Sequence, residues 1–422
     1  MRIRTLAGCG NRPSNGRLAG ESACPTTAIV GQAFSLSVAF FSGLLGPLAA
    51  VAFLGAANLM AQGYALPGGS ISIKFPDDSP VLFSGSMTDQ SRATPRGAAM
   101  VIDLRLSMLL RNVSAKQIHG VTLRVVSQEV AVGGKGSVTY PSLHVGPGES
   151  FPVRIEMQLM RPTQAVNGPL VEVNLDGVLY QDLLFYGPNR LNSKRIMTAE
   201  ELEARRDREY FKRALEQNGA GGLQSAVLES LVRQSERPRL DALVVRGGPS
   251  VASSANPLQA STANFAFLKM PDSPIAPLDG SAQIAGNEAR APRVQVQNNS
   301  SKPVKYFELG WLVRDPSGQE YLAASLPASD PGLMLRPSRT AQVMQDTTLR
   351  FTRNGQPVKV QSMTGYVSQV EFADGEMWIP NRRTLESEGL LRLLAPSAEE
   401  QRLTDLYRRN GINALLEDLK KY

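Results

Sequence analysis

The sequence predicts a mainly β protein: two tandem antiparallel β-sandwich modules, each followed by a helical hairpin, behind an N-terminal apolar leader. Three observations predict it. One design occurs twice, short runs alternate apolar with polar residues, and a long uncharged segment precedes both copies. Around Asn112 the chain reads Asn-Val-Ser-Ala-Lys-Gln-Ile and then alternates Val121, Leu123, Val125. Around Asn298 it reads Asn-Asn-Ser-Ser-Lys-Pro-Val and then alternates Phe307, Leu309, Trp311. Both copies go on to an Asp-Gly pair (Asp176-Gly177, Asp374-Gly375), to Pro-Asn-Arg (Pro188 to Arg190, Pro380 to Arg382), and to a charged helix. The boundaries that follow are 1–65 for the leader, 66–190 for the first module and 191–240 for its helical segment. A linker occupies 241–263, the second module 264–385, and a C-terminal helical segment 386–422.

The leader carries Arg2, Arg4, Arg12 and Arg17 against Glu21 alone, and from Ser22 to Ile73 there is no charged side chain. A basic region followed by the apolar run Phe34 to Leu59 is the layout of a secretory signal. Gly63-Tyr64-Ala65 places small residues where signal peptidase cuts. The run is also long enough to span a bilayer, so an uncleaved N-terminal anchor is the competing expectation. Either way the chain is expected to be exported, to the periplasm or the cell surface. Leu6-Ala7-Gly8-Cys9 spells a lipobox but has no apolar core before it, so it is read as coincidence. Cys9 and Cys24 both precede the apolar run, so cleavage near Ala65 leaves no cysteine for disulfides, thiolate chemistry or metal.

The net charge of +7 falls by three with the leader. What remains is interleaved with acid, and no Lys/Arg stripe alternates with aromatics, so no nucleic-acid partner is expected. Membrane contact is expected only through the N-terminal apolar segment.

In the first module Phe151, Val153, Ile155, Met157 and Leu159 alternate, which buries one face of a strand. Val171, Val173 and Leu175 lead to Asp176-Gly177, expected as a two-residue hairpin turn. Several short strands divided by Gly, Pro and Asn, with no amphipathic helix between them, favour an antiparallel sandwich. Thr198 with Glu201, and Ser397 with Glu400, have capping-box spacing at expected helix starts. Asn218-Gly219 and Asn410-Gly411 are expected to end the first helix of each pair, glycine taking the left-handed cap. Leu390 to Leu394 is expected as a turn docked on the core. Gly247 to Thr262 is rich in Ser, Ala, Gly and Pro and reads as a flexible linker.

The run Asn298-Asn299-Ser300-Ser301-Lys302-Pro303-Val304-Lys305-Tyr306-Phe307-Glu308-Leu309, followed by Val313 to Gly318, resembles the FxLYD-type modules of bacterial extracytoplasmic proteins. Phe307 and Leu309 match, Gly310-Trp311 replaces Tyr-Asp, and Asp315 supplies the hairpin acid. The first copy, with Val121-Thr122-Leu123, matches less well. The resemblance implies an immunoglobulin-like β-sandwich, exported, with a binding or scaffolding role.

Chemistry is hard to find. His119 and His144 both fall in the first module, neither with a second histidine or a carboxylate at ligand spacing, and both are expected as structural residues. Asp77-Asp78 reads as a turn, while Glu200-Glu201 and Glu399-Glu400 read as acid favoured in a first helical turn. Gly133-Gly134-Lys135-Gly136 lacks the spacing and the following helix of a phosphate loop, so it reads as a hairpin loop. No catalytic, metal or cofactor-binding residue is assigned, and no cofactor is expected. Tyr306, Trp311, Tyr366 and Trp378 are the candidate binding patch, on the condition that they face outward together. The expected function is that of a non-enzymatic envelope interaction or scaffold protein with a protein or glycan partner. The alternatives are an extracytoplasmic hydrolase with carboxylates meeting between the modules, and a membrane-anchored sensor.

Overall fold

A computed structural model describes residues 2–5, 64–66, 69–129, 133–163, 168–235, 239–246, 261–329, 332–344 and 347–421. The apolar run Phe34 to Leu59, and with it the choice between signal and anchor, lies outside the described residues. No helix among the described residues is long and apolar enough to cross a membrane.

The protein is mainly β, with large sheets and a helical minority. In the first β region two sheets enclose one core. One contains Lys135–Tyr140, Ile118–Val126, Val171–Tyr180 and Phe185–Tyr186, with Ile71–Lys74 alongside Val171–Tyr180 and Arg2–Thr5 alongside Lys135–Tyr140. The other pairs Ala99–Asn112 with Val81–Asp89 and Arg92–Arg96 on one side and Ser150–Pro162 on the other. Ser150–Pro162 alternates exposed and buried along its whole length, and its inward residues Phe151, Val153, Ile155, Met157 and Leu159 meet Val121, Leu123 and Val125 in the core. The region also includes Tyr64–Ala65, two residues earlier than expected, paired with Arg92 and Ala93. Most pairings are antiparallel, but Ile71–Lys74 runs parallel to its neighbour.

The second β region is a single continuous sheet of twelve strands around a second core, which holds Phe307, Leu309, Trp311 and Val313. Its continuity comes from a strand that begins in the expected helical segment and runs into the expected linker. Arg239–Arg246 pairs antiparallel with Thr347–Arg353 and parallel with Glu320–Pro327, joining two edges that would otherwise stand open. The apolar run Ala242 to Val245 is too short to stand out beside the Gly/Ser-rich stretch that follows, of which residues 247–260 lie outside the described residues.

The repeated turns are the same object. Asn112 Nδ2 donates to the carbonyls of Lys116 and Val145 at 2.8 and 3.0 Å, and Asn298 Nδ2 donates to those of Lys302 and Leu335, both at 2.9 Å. In each copy the Asn Oδ1 accepts from the amide and hydroxyl of the serine two residues on. The strands leaving the turns share a register too. Val121 opposes Val178 and Leu123 opposes Leu175, just as Phe307 opposes Val370 and Leu309 opposes Val367.

This register corrects one landmark. Asp176-Gly177 is not a hairpin turn. It lies inside Val171–Tyr180 at a β-bulge, and the residue in the matching bulge of the second copy is Ser368. Asp374-Gly375 does turn, with Gly375 at φ 86° and its amide bonded to the Phe372 carbonyl. Its true counterpart is Asp182: Lys116 Nζ reaches Asp182 at 2.6 Å as Lys302 Nζ reaches Asp374 at 2.8 Å. Asp176 instead uses its buried carboxylate to accept from the amides of Arg190 and Leu191, and from the Ser193 hydroxyl, where the long helix begins.

That helix, α1, spans Ser193–Ser235, so Thr198 sits inside it and is not its cap. Gly219 interrupts it at φ 64°, ψ −161°, a conformation that costs a glycine little. After the second β region come α2 (Arg382–Ser387), which crosses the expected boundary at 385, and α3 (Ala398–Leu419), interrupted likewise at Gly411. Ser397 caps α3 by accepting from the Glu400 amide at 3.0 Å. Phe211, Leu223 and Val227 of α1 pack against Leu403, Leu415 and Leu419 of α3 in a core of their own. Leu390 docks on Tyr366 and Leu385 as expected.

Candidate functional site

The two histidines, read from sequence as isolated, meet. The Ile118–Val145 bridge and the Leu143 amide on the His119 carbonyl tie the chain after Tyr140 to the start of Ile118–Val126. This brings the imidazoles of His119 and His144 to 4.7 Å between centroids, edge to face. Across from them α1 supplies Glu201, whose carboxylate lies 3.0 Å from His119 Nδ1 and also contacts Arg205 at 3.0 Å and Arg208 at 2.8 Å. Arg208 continues to Glu399 of α3 at 3.3 Å. Arg402 holds both oxygens of Glu399, at 2.8 and 2.9 Å, and reaches Asp418 at 2.6 Å. His119, Glu201, Arg208 and Glu399 are all buried.

Electrostatics follow from this crowding. Burial alone would raise the Glu201 carboxyl, but the bond to His119 and the charges of His119 and Arg208 outweigh it and hold it at about 2. Burial, reinforced by His119, Arg208 and Arg402, lowers His144 to about 3, so it is neutral where the fold is intact.

A second group of ions lies further along α1. Asp207 faces Arg382 of α2 at 3.5 Å, and the Arg382 guanidinium stacks 3.3 Å from the Tyr210 ring centroid. Glu400 accepts from Ser230 at 2.6 Å and pairs with Arg233; burial and the nearby Asp207 charge raise its pKa. Near the start of α1, Arg195 lies 3.6 Å over Tyr306 and 3.3 Å from Glu371 of the second β region.

Glu201 is chemically a poor base and a poor nucleophile. A carboxylate locked between guanidinium groups is stabilised as the anion and has little drive to take a proton. Among the described residues no group of three His, Cys, Asp or Glu is arranged to hold a metal ion. A small cleft elsewhere, between Asn264, Leu312, Arg314, Glu320 and Ser362, contains one carboxylate, and Arg314 already pairs with it at 2.6 Å.

The four aromatics of the candidate patch do not form one outward face. Trp311 and Tyr366 are core residues. Tyr306 is half-buried under Arg195 and donates to Glu308 at 2.5 Å, and Trp378 packs against the second core. Gly310, expected outward by alternation, is buried beneath the Tyr366 ring, which leaves no room for a Cβ.

No protein-family model and no curated protein matches the chain. A solved structure titled pT26-6p aligns over 79% of this chain and 73% of its own at 10% identity, with a TM-score of 0.15. A superposition that loose carries no argument about fold or function.

The charged junction was illegible in the sequence because its members come from four separated segments. The local signal was the glutamate pairs Glu200-Glu201 and Glu399-Glu400, which read as acid favoured in a first helical turn.

Proposed function

We propose that the chain is an exported, non-enzymatic interaction or scaffold protein of the bacterial envelope, built from tandem immunoglobulin-like β-sandwich modules of FxLYD type. The observation that carries this reading is the fate of the converging carboxylates. Glu201 and Glu399 converge on Arg208 and Glu400 lies in the second group of ions, but each is buried and held by arginine. Such an arrangement fixes the relative placement of helices and strands; it does not present an acid and a base across an open cleft. The repeated Asn-x-Ser-x-Lys turn supports the tandem reading, and the basic stretch followed by an uncharged apolar segment supports export. A rigid pair of sandwiches binds by shape and by its strand edges, which demands no special residues.

The purified chain should bind one envelope protein or glycan saturably, reproduced with the purified partner, and should turn over no glycoside, ester or peptide substrate. Turnover that Glu201→Gln or Glu399→Gln abolishes in a still folded protein would establish the hydrolase reading instead.

A further inference from the structure

The two β regions share one strand order, and one place in that order is filled differently. In the second region Arg239–Arg246 lies between Thr347–Arg353 and Glu320–Pro327 and pairs with both. The corresponding place in the first region lies between Ser150–Pro162 and Lys135–Tyr140. Ser150–Pro162 pairs with Ala99–Asn112 as Thr347–Arg353 pairs with Glu288–Asn298. Lys135–Tyr140 pairs with Ile118–Val126 as Glu320–Pro327 pairs with Val304–Arg314. Among the described residues, that edge of Lys135–Tyr140 carries only Arg2–Thr5, and no strand pairs with the outer edge of Ser150–Pro162. We propose that this slot is a strand-acceptor site, which binds a single extended peptide segment of a partner protein once Arg2–Thr5 has left with the leader. The partner's access rests on the export reading above, since cleavage near Ala65 is what empties the slot.

The slot has closed ends, and these select its occupant. At one end the Met160 amide donates to the Gly133 carbonyl at 2.8 Å. At the other the Tyr140 hydroxyl accepts from the Arg154 amide at 2.6 Å and donates to the Arg154 carbonyl. Arg154 thus turns its backbone groups toward the slot, and alternation turns those of Glu156 and Gln158 the same way. Pro152 has no amide to offer. A slot bounded in this way admits one extended segment and not the sheet edge of a second copy. The register shows what that segment carries. Ile3 stands opposite Val138 and Leu240 opposite Ala323, so in both regions an aliphatic residue of the filling strand is set against a fully buried residue. In each filling strand an arginine precedes it, Arg2 or Arg239. Glu156, exposed on the rim near Tyr140, favours such a basic neighbour. The occupant is therefore an extended basic–aliphatic–polar segment, held by main-chain hydrogen bonds along Lys135–Tyr140 and by one aliphatic side chain opposite Val138.

A chain beginning at Tyr64 and a fluorescent peptide of residues 1–8 test the slot. Anisotropy should show saturable one-to-one binding, weakened more than about tenfold by Ile3→Asp in the peptide. Glu156→Lys in the chain should weaken it by up to about fivefold. In hydrogen exchange, residues 135–140 should gain protection with the peptide while Val304–Arg314 keeps its own. Equal binding of the Ile3→Asp peptide, or binding that leaves 135–140 unprotected, would overturn the site. Self-association of the shortened chain that protects 135–140 without peptide would also overturn it, since the slot would then be a dimer edge. The intact mass of the exported protein separates this site from the export reading. A terminus near Leu66 with no peptide binding overturns the slot and leaves export standing, whereas a mature chain that keeps residues 2–5 overturns the partner and the cleavage together.

Discussion

At Asn298 one buried amide organises a whole reversal of the chain. Its Nδ2 donates to two carbonyls and its Oδ1 accepts from an amide and a hydroxyl, so all of its common bonding capacity is used. Asn298→Ala takes one donor from each of the Lys302 and Leu335 carbonyls and leaves the Ser300 amide without its acceptor, and should cost about 2 kcal/mol. Asn298→Asp should cost more, because it turns an oxygen toward the Lys302 and Leu335 carbonyls where a donor is required. Urea midpoints check the order; an aspartate variant as stable as the wild type would mean the turn is held some other way. This motif was legible because most of its partners lie within four residues. The next residues show where alternation stops being enough. Leu309 is buried as expected, and Leu309→Ala should cost about 2–5 kcal/mol. Glu308 also points away from that core, but it accepts from Tyr306 and from Ser325 at 2.8 Å, so Glu308→Ala should cost about 1 kcal/mol, more than an isolated surface change. Gly310 breaks the pattern altogether, since a ring from the neighbouring strand covers it, and no local spacing encodes that.

Among the elements, the two expected helix starts separate cleanly. Ser397 is a true N-cap, and Ser397→Ala should destabilise by about 1 kcal/mol. Thr198 lies inside α1, and its buried hydroxyl has no hydrogen-bond partner. Thr198→Val keeps the shape and removes that hydroxyl, so it should change stability by less than about 0.5 kcal/mol or raise it slightly. Thermal melts of the two variants make the comparison; equal losses would show that Thr198 caps a helix after all. The sequence motif is the same in both copies, and what differs is upstream. Asp176 and Asn189 engage backbone amides from Arg190 to Lys194 and let α1 begin at Ser193, before the threonine is reached. A buried aspartate at a strand bulge thus decides where a helix starts, and only the strand register reveals it. The strand Arg239–Arg246 was missed for a related reason: its pairing partners, Thr347–Arg353 and Glu320–Pro327, come from much later in the chain.

At the scale of the whole molecule, α1 ties the two β regions together. Near its start Arg195 stacks on Tyr306 and pairs with Glu371, and further along Asp207 meets Arg382 while Arg206 donates to the Pro380 carbonyl at 3.1 Å. These contacts are largely buried; losing Arg195 leaves Glu371 only Lys305, and losing Asp207 leaves Arg382 with Glu386 and Tyr210, so each removal should cost about 1.5–3 kcal/mol. Several such contacts on one helix couple the two β regions energetically. The described regions should therefore unfold in one calorimetric transition, and Arg195→Ala with Asp207→Ala should split it in two, the first β region separating from the second. Two transitions in the wild type would mean the repeats are held side by side without being energetically joined. A chain shortened to begin at Asn264 meets a harsher outcome by the same logic. It loses Arg239–Arg246, opens the edges of Glu320–Pro327 and Thr347–Arg353, and leaves the Leu403, Leu415 and Leu419 face of α3 without α1. It should aggregate where a chain beginning at Tyr64 stays monodisperse, which size-exclusion chromatography at matched concentration would show.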